Sequence, residues 1–201
     1  MRKHSKSRGV ACTAMLVVAL GALALVPSAQ AKLTGEFTKF QYCPYTTATV
    51  ERCMQATTVG GEVVLGTKKV TIEKPVVLQG GYTEPAEEGA EAGFAKFFGA
   101  TNGITLSKAP QNVPGGLLGI VPDEKSPFLV KALIKFFFEN KLTGVTSTLE
   151  LAKPATDIRV SEGHLAEALG VALKMPVIVH LENPFLGKSC YVGSSSSPIM
   201  L

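Results

Sequence analysis

Over most of its length, the chain has the pattern of apolar and polar positions that is typical of short strands. Three apolar, β-branched runs are separated by Gly66-Thr67, Pro75 and Gly80-Gly81. The runs are residues 63–65, 70–72 and 76–78. Residues 35–43 and 142–152 alternate between apolar and polar, which predicts a first strand and a longer, later one. The glycine pairs Gly80-Gly81 and Gly115-Gly116 are predicted to be turn residues.

One segment, residues 126–141, has the pattern of a helix instead. Ser126 suits the N-cap, and Pro127 suits the first helical position, where a missing N–H costs nothing. The narrow polar stripe consists of Lys131, Lys135 and Glu139. Apolar residues cover the rest of the helix, so we expect it to pack over a sheet or against further protein. It is too short to span a bilayer.

A second, short helix is predicted at residues 161–170, with Ser161 as its cap and Gly170 at its end. Strands outnumber helices, and no alternation of strand and helix is present. The sequence therefore predicts a mainly β fold, a β-sandwich or barrel-like body, with one docked amphipathic, apolar helix and a second short helix. An α+β fold is the alternative.

The first thirty-one residues have the pattern of a secretory signal peptide. A basic stretch, "MRKHSKSRG", precedes the apolar "VACTAMLVVALGALALV", and small residues occupy Ala29 and Ala31. We expect cleavage near Ala31 and a secreted or cell-surface protein. Residues 32–201 then form a single β-rich domain. The alternative is that the segment is not cleaved and anchors this domain to the membrane.

The charge of the chain changes once this segment is removed. The 20 lysines and arginines exceed the 16 acids, but Arg2, Lys3, Lys6 and Arg8 lie in the signal segment. The remainder is formally neutral and has no basic cluster that could follow a phosphate backbone. Nucleic acid is therefore not an expected partner.

Three cysteines follow the signal segment, and an exported protein uses cysteines first for disulfides. The spacing of Cys43 and Cys53 suits a local bridge, and a metal site would need further ligands nearby. Cys190 is then the odd cysteine, and we expect a free thiol here.

No coherent catalytic or metal-binding set is visible in the sequence. His164 and His180 are sixteen residues apart on different predicted elements. The run "GSSSS" lacks the closing glycine of a nucleophile elbow, and the glutamates of residues 84–91 fit a solvated loop. We predict no catalytic residue, no metal site and no cofactor, and an enzyme is the less favoured class.

Five long segments of the chain are distinctive in sequence. They are "FQYCPYTTATVERC", "GGEVVLGTKKVTIEKPVVLQGGY", "TNGITLSKAPQNVPGGLLGIV", "TLELAKPA" and "LAEALGVALKMPVIVHLENPFLGKSCYVGSSSSPI". Together they resemble a family of exported actinobacterial proteins of unknown function. The resemblance covers nearly all of residues 32–201. It implies that relatives continue past the serine-rich stretch with further cysteines and that this chain is truncated at its C-terminus. The partner of Cys190 is then expected beyond residue 201 in those relatives. It assigns no functional residue.

Two functions from different classes follow from these features. The first is a secreted or cell-surface, non-catalytic protein with an envelope or interaction role. The second is a carrier of a hydrophobic small molecule or lipid, in which Phe136, Phe137 and Phe138 form one wall of the ligand cavity. An extracellular hydrolase is a third, less favoured class, because it would need His164 or His180 in a cleft beside a serine or a glutamate.

Overall fold

The structure is a computed structural model that describes residues 33–47, 49–66, 68–138 and 142–201. The predicted signal segment lies outside these residues, as does the side chain of Phe138. The described strands are β1 (Arg52–Thr58), β2 (Glu62–Leu65), β3 (Lys68–Thr71), β4 (Val76–Pro85), β5 (Ala95–Gly99), β6 (Gln111–Val113), β7 (Val145–Leu151), β8 (Arg159–Val160), β9 (Leu173–Lys174), β10 (Pro176–Glu182), β11 (Tyr191–Val192) and β12 (Ile199–Met200). The α-helices are α1 (Phe128–Phe138) and α2 (Glu162–Glu167).

Two curled antiparallel sheets form the body, which confirms the predicted mainly β fold. The first has the order β1-β4-β5-β8-β9, and the second has the order β11-β10-β7-β6, with β12 also pairing with β10. The hairpin β2–β3 is separate. Side chains from both sheets share one core, in which Phe97, Val160 and Val177 are fully buried. Among the described residues, no helix is long and apolar enough to cross a membrane.

The glycine pair Gly80-Gly81 lies inside the ten-residue strand β4, so the predicted turn is wrong at this position. A Cβ atom on Gly80 would lie 2.2 Å from the carbonyl oxygen of Phe98 and 2.6 Å from the ring of Phe97. The first sheet therefore needs these glycines for close packing rather than for chain reversal. Gly115 does adopt a left-handed turn conformation, as predicted.

Residues 35–43 do not form the predicted first strand. They begin with a 3₁₀ helix, Gly35–Phe40, in which the Thr38 hydroxyl donates to the carbonyl of Gly35. The amide of Cys43 donates to the carbonyl of Phe40 in the following turn. These local hydrogen bonds replace the ladder partners that an alternating pattern of this length would need.

Both predicted helices are present, and the predicted cap Ser161 is confirmed for α2, whereas in α1 the first carbonyl that accepts a helical hydrogen bond belongs to Pro127. The backbone carbonyl of Pro127 accepts from the amides of Val130 and Lys131 at the start of α1. The Ser161 hydroxyl accepts from the amide of His164 in α2. This short helix ends at Ala168, which is left-handed with φ 52°, rather than at Gly170.

The predicted bridge between Cys43 and Cys53 is present, with a Cα–Cα distance of 5.6 Å. Cys190 is half-buried and forms no disulfide with another described cysteine. The bridge joins the segment after the 3₁₀ helix to β1, and Cys43 is buried beside Gly81 of β4. It therefore ties the N-terminal segment of the described chain to the first sheet.

We expect the double variant Cys43→Ala/Cys53→Ala to lose roughly 2–3 kcal/mol of the free energy of unfolding, because the bridge restricts the unfolded chain. Urea unfolding followed by circular dichroism measures this loss. Cys190→Ala is the matched control and should stay near the wild type. Equal stability of the double variant and the control would contradict this account of the bridge.

Candidate functional site

Helix α1 is far more exposed than a helix packed over a sheet would be, so this expectation is wrong. Phe128 is 82% exposed, and Leu129 and Phe136 are each 73% exposed. Leu133 and Phe137 are exposed as well. Soluble domains rarely leave so many large apolar side chains together in water, and such patches usually mark contact sites. The periodicity identified the helix, but the apolar side faces outward.

Further exposed apolar side chains belong to neighbouring loops. We call the whole set the apolar surface. Its members are Leu117, Leu118, Phe128, Leu129, Leu133, Phe136, Phe137, Leu142 and Phe185. They come from four separate stretches of the chain, so their clustering depends on the loops around residues 142–144.

Backbone and side-chain hydrogen bonds hold these stretches together. The Thr143 hydroxyl donates to the carbonyl of Phe137 at 2.9 Å, and the amide of Leu117 donates to the carbonyl of Thr143 at 2.7 Å. The side-chain amide of Asn183 donates to the carbonyls of Leu142 and Gly144 at 2.8 and 2.7 Å. The end of α1, residues 116–118 and the loop that carries Phe185 therefore meet at one place.

The lysines of α1 flank its exposed apolar face. At about 100° per residue, Lys131 and Lys135 lie next to each other on one side of that face. Lys131 and Ile134 are half-buried, and the Lys131 ammonium group donates to the carbonyl of Glu124 at 2.6 Å. The helix thus has an exposed apolar face with two cations along its border, and no acid within the residues 128–138.

A cavity of about 1000 Å³ opens beside α1. Its lining residues are Asn112, Val113, Lys135, Gly144, Val145, Thr146, His180, Glu182, Asn183, Pro184, Gly187 and Lys188. In β10, Val177 and Val179 face the core, whereas His180 and Glu182 alternate to the opposite face, where the cavity lies. The cavity therefore lies on the outer face of the second sheet.

The ring of His180 is fixed on three sides. It stacks on Tyr191 with the ring centroids 4.5 Å apart. Its Nε2 lies 3.3 Å from the carbonyl oxygen of Lys188, to which it donates, and its Nδ1 lies 3.9 Å from carboxylate oxygens of both Glu150 and Glu182. The stacking on Tyr191 and the hydrogen bond to Lys188 hold the ring in place, so we interpret His180 as a structural residue of the wall.

Two of the phenylalanines that the sequence suggested for a ligand wall, Phe136 and Phe137, do not line this cavity. Phe136 and Phe137 are exposed, and α1 contributes Lys135 to the lining instead. A smaller apolar cavity lies between the hairpin β2–β3 and the sheets, with a volume of about 20 Å³. That volume is close to one water molecule and too small for a lipid chain.

A polar cluster connects β4, β1 and α2 on the first sheet. The Tyr82 hydroxyl donates to Glu162 at 2.5 Å, and Arg52 forms ion pairs with Glu162 at 3.0 Å and with Glu84 at 3.2 Å. Burial of the phenol, together with its hydrogen bond to the Glu162 carboxylate and the negative charge of that group, raises the pKa of Tyr82 to about 12. The cluster anchors α2 to the sheet.

The raised pKa of Tyr82 predicts a loss of stability at high pH. The unfolded phenol ionises near pH 10, whereas the folded one holds its proton to about 12, so stability is full below pH 10 and falls between these values. We expect Tyr82→Phe to remove this part of the alkaline loss. Ultraviolet titration of the four tyrosines measures the pKa of Tyr82 by comparison with Tyr82→Phe. A Tyr82 that ionises together with the other tyrosines would contradict the assignment.

The remaining candidates from the sequence do not form a site. His164 is half-buried, and its Nδ1 lies 2.8 Å from the carbonyl of Val171. Within the described part of the chain, no group of three or more histidine, cysteine, aspartate or glutamate side chains could hold a metal ion. Comparisons with protein-family models, with curated proteins and with solved structures find no match to this chain.

Proposed function

We propose that this chain is an exported, non-catalytic protein that docks on the lipid surface of the cell envelope through its apolar surface. The observation that carries the proposal is the exposed apolar face of α1, bordered by Lys131 and Lys135. The predicted signal segment and the disulfide between Cys43 and Cys53 support a location outside the cytoplasm.

Helices that lie in the plane of a membrane surface have this composition. They place aromatic and aliphatic side chains between the lipid headgroups and hold lysines at the border, where the ammonium groups stay hydrated. Removing one leucine or phenylalanine side chain from water contributes about 1.5–3 kcal/mol. Several such side chains on α1 provide enough free energy to offset the cost of association.

The carrier hypothesis receives less support from the geometry. A carrier needs an enclosed apolar space, and the enclosed apolar cavity between the hairpin and the sheets has a volume of only about 20 Å³. Phe136 and Phe137 point their apolar surface toward solvent instead. A surface that is exposed in this way favours contact with a large partner over enclosure of a small one.

Flotation with lipid vesicles tests the proposed function. Protein expressed without the signal segment is mixed with vesicles of phosphatidylcholine and phosphatidylglycerol and centrifuged through a density gradient. We expect the protein to float with the vesicles and to stay at the bottom without them. A protein that remains at the bottom with vesicles of every composition would contradict the proposal.

A further inference from the structure

We propose that the cavity beside α1 binds the phosphate group of an anionic lipid headgroup. The inference rests on the proposed function, because the lipid surface on which the protein docks supplies this phosphate group. The groups that would recognise it belong to the cavity itself, whose wall includes the cations Lys135 and Lys188.

The wall of the cavity is fixed before any ligand binds. The buried Asn183 uses its amide nitrogen on Leu142 and Gly144, and its oxygen accepts from the amide of Phe185. Asn112 donates to the Glu73 carboxylate at 3.1 Å on the other side. A wall with few mobile parts loses little conformational entropy when a ligand binds.

The balance of charge in the cavity favours an anion. Lys135 and Lys188 form no ion pair with any described residue. Glu182 is the acid of the lining. The charged side chains of the lining are therefore two lysines and one glutamate, and a concave wall with this excess of positive charge favours a phosphate group over a neutral ligand.

The position of the cavity suits a headgroup rather than a free metabolite. Asn183 and Pro184 of the lining directly precede the exposed Phe185, and Lys135 directly precedes the exposed Phe136. A bilayer that receives these two phenylalanines brings its phosphate layer to the height of the neighbouring polar wall. The same contact therefore buries the apolar surface and fills the cavity.

Vesicle binding of Lys135→Gln/Lys188→Gln tests the inference. We expect the double variant to bind phosphatidylglycerol vesicles roughly 25-fold more weakly than the wild type, at about fivefold for each lysine near an anionic surface. On pure phosphatidylcholine vesicles, which carry no net charge, the double variant and the wild type should bind equally. The matched control is Lys74→Gln/Lys153→Gln, which removes two exposed lysines outside the cavity. If both double variants bind anionic vesicles equally well, the inference is overturned and the docking proposal stands.

A soluble headgroup separates the cavity from the membrane. In the amide NMR spectrum, glycerol phosphate should shift Asn112, Gly144 and Gly187 in the wild type and not in Lys135→Gln/Lys188→Gln. These shifts would support the cavity even if the wild type binds no vesicle, in which case only the proposed docking fails. Shifts that are absent, or that are the same in the double variant, would overturn the cavity assignment.

Discussion

Replacing Gly80 with alanine is expected to lower the free energy of unfolding by roughly 3 kcal/mol or more. The new Cβ would lie 2.2 Å from the backbone carbonyl oxygen of Phe98, which is held in the β4–β5 ladder. It would also press on the ring of Phe97, which is fully buried. Neither neighbour can yield without breaking the first sheet or its core.

Chemical denaturation of Gly80→Ala and of a matched control measures this loss. Gly163→Ala suits as the control, because Gly163 lies in α2 and a Cβ there would meet nothing within 4 Å. We expect the control to be neutral or slightly stabilising, since alanine favours a helix more than glycine does. If Gly80→Ala were as stable as Gly163→Ala, the close packing of β4 against β5 would be wrong.

Adding charge to the apolar face of α1 is expected to abolish vesicle binding. Leu133→Glu/Phe136→Glu removes two side chains that each contribute about 1.5–3 kcal/mol when they leave water, which predicts a loss of at least about 100-fold in affinity. The two new carboxylates also repel an anionic surface. Both positions are exposed in the free protein, so the fold should be retained.

The control for this variant introduces two glutamates at exposed positions outside α1. Val59→Glu/Val64→Glu changes two exposed valines, one after β1 and one in the hairpin β2–β3. We expect it to float with vesicles as the wild type does, and circular dichroism should confirm that both double variants are folded. Equal loss of binding in both variants would show that added negative charge, and not the α1 face, is responsible.

The local signals in the sequence predicted the helices well, because capping residues act over short distances. The structure confirms the cap Ser161 and confirms that α1 begins directly after Pro127. The disulfide was predictable for the same reason, since Cys43 and Cys53 are only 10 residues apart. The mainly β fold followed from the many short apolar runs between turn residues.

Features that depend on distant parts of the chain could not be predicted in this way. Gly80 serves the close approach of Phe97 and Phe98, and nothing near Gly80 in the sequence distinguishes this role from a turn. The periodicity of α1 separates an apolar side from a polar one, but it does not say whether protein or another partner covers the apolar side. The exposure of that side therefore appeared only in the structure.

The cavity was missed because its wall is assembled from β6, β7, β10, α1 and a loop. Lys135 was visible as part of the polar stripe of the helix, but the stripe alone gave no reason to connect it with Lys188. Asn183 stabilises the wall through hydrogen bonds to the carbonyls of Leu142 and Gly144. The sequence did not show this role, because an asparagine before a proline is typical of a turn.

Tryptophan fluorescence gives the most direct test of docking through α1, because the chain contains no tryptophan. A single probe at Phe136→Trp should shift its emission to shorter wavelength when phosphatidylglycerol vesicles are added, and brominated lipids should quench it. A probe at Val64→Trp, in the hairpin, should show neither change. An unchanged spectrum at position 136 in the presence of vesicles, or an equal shift at position 64, would contradict the account.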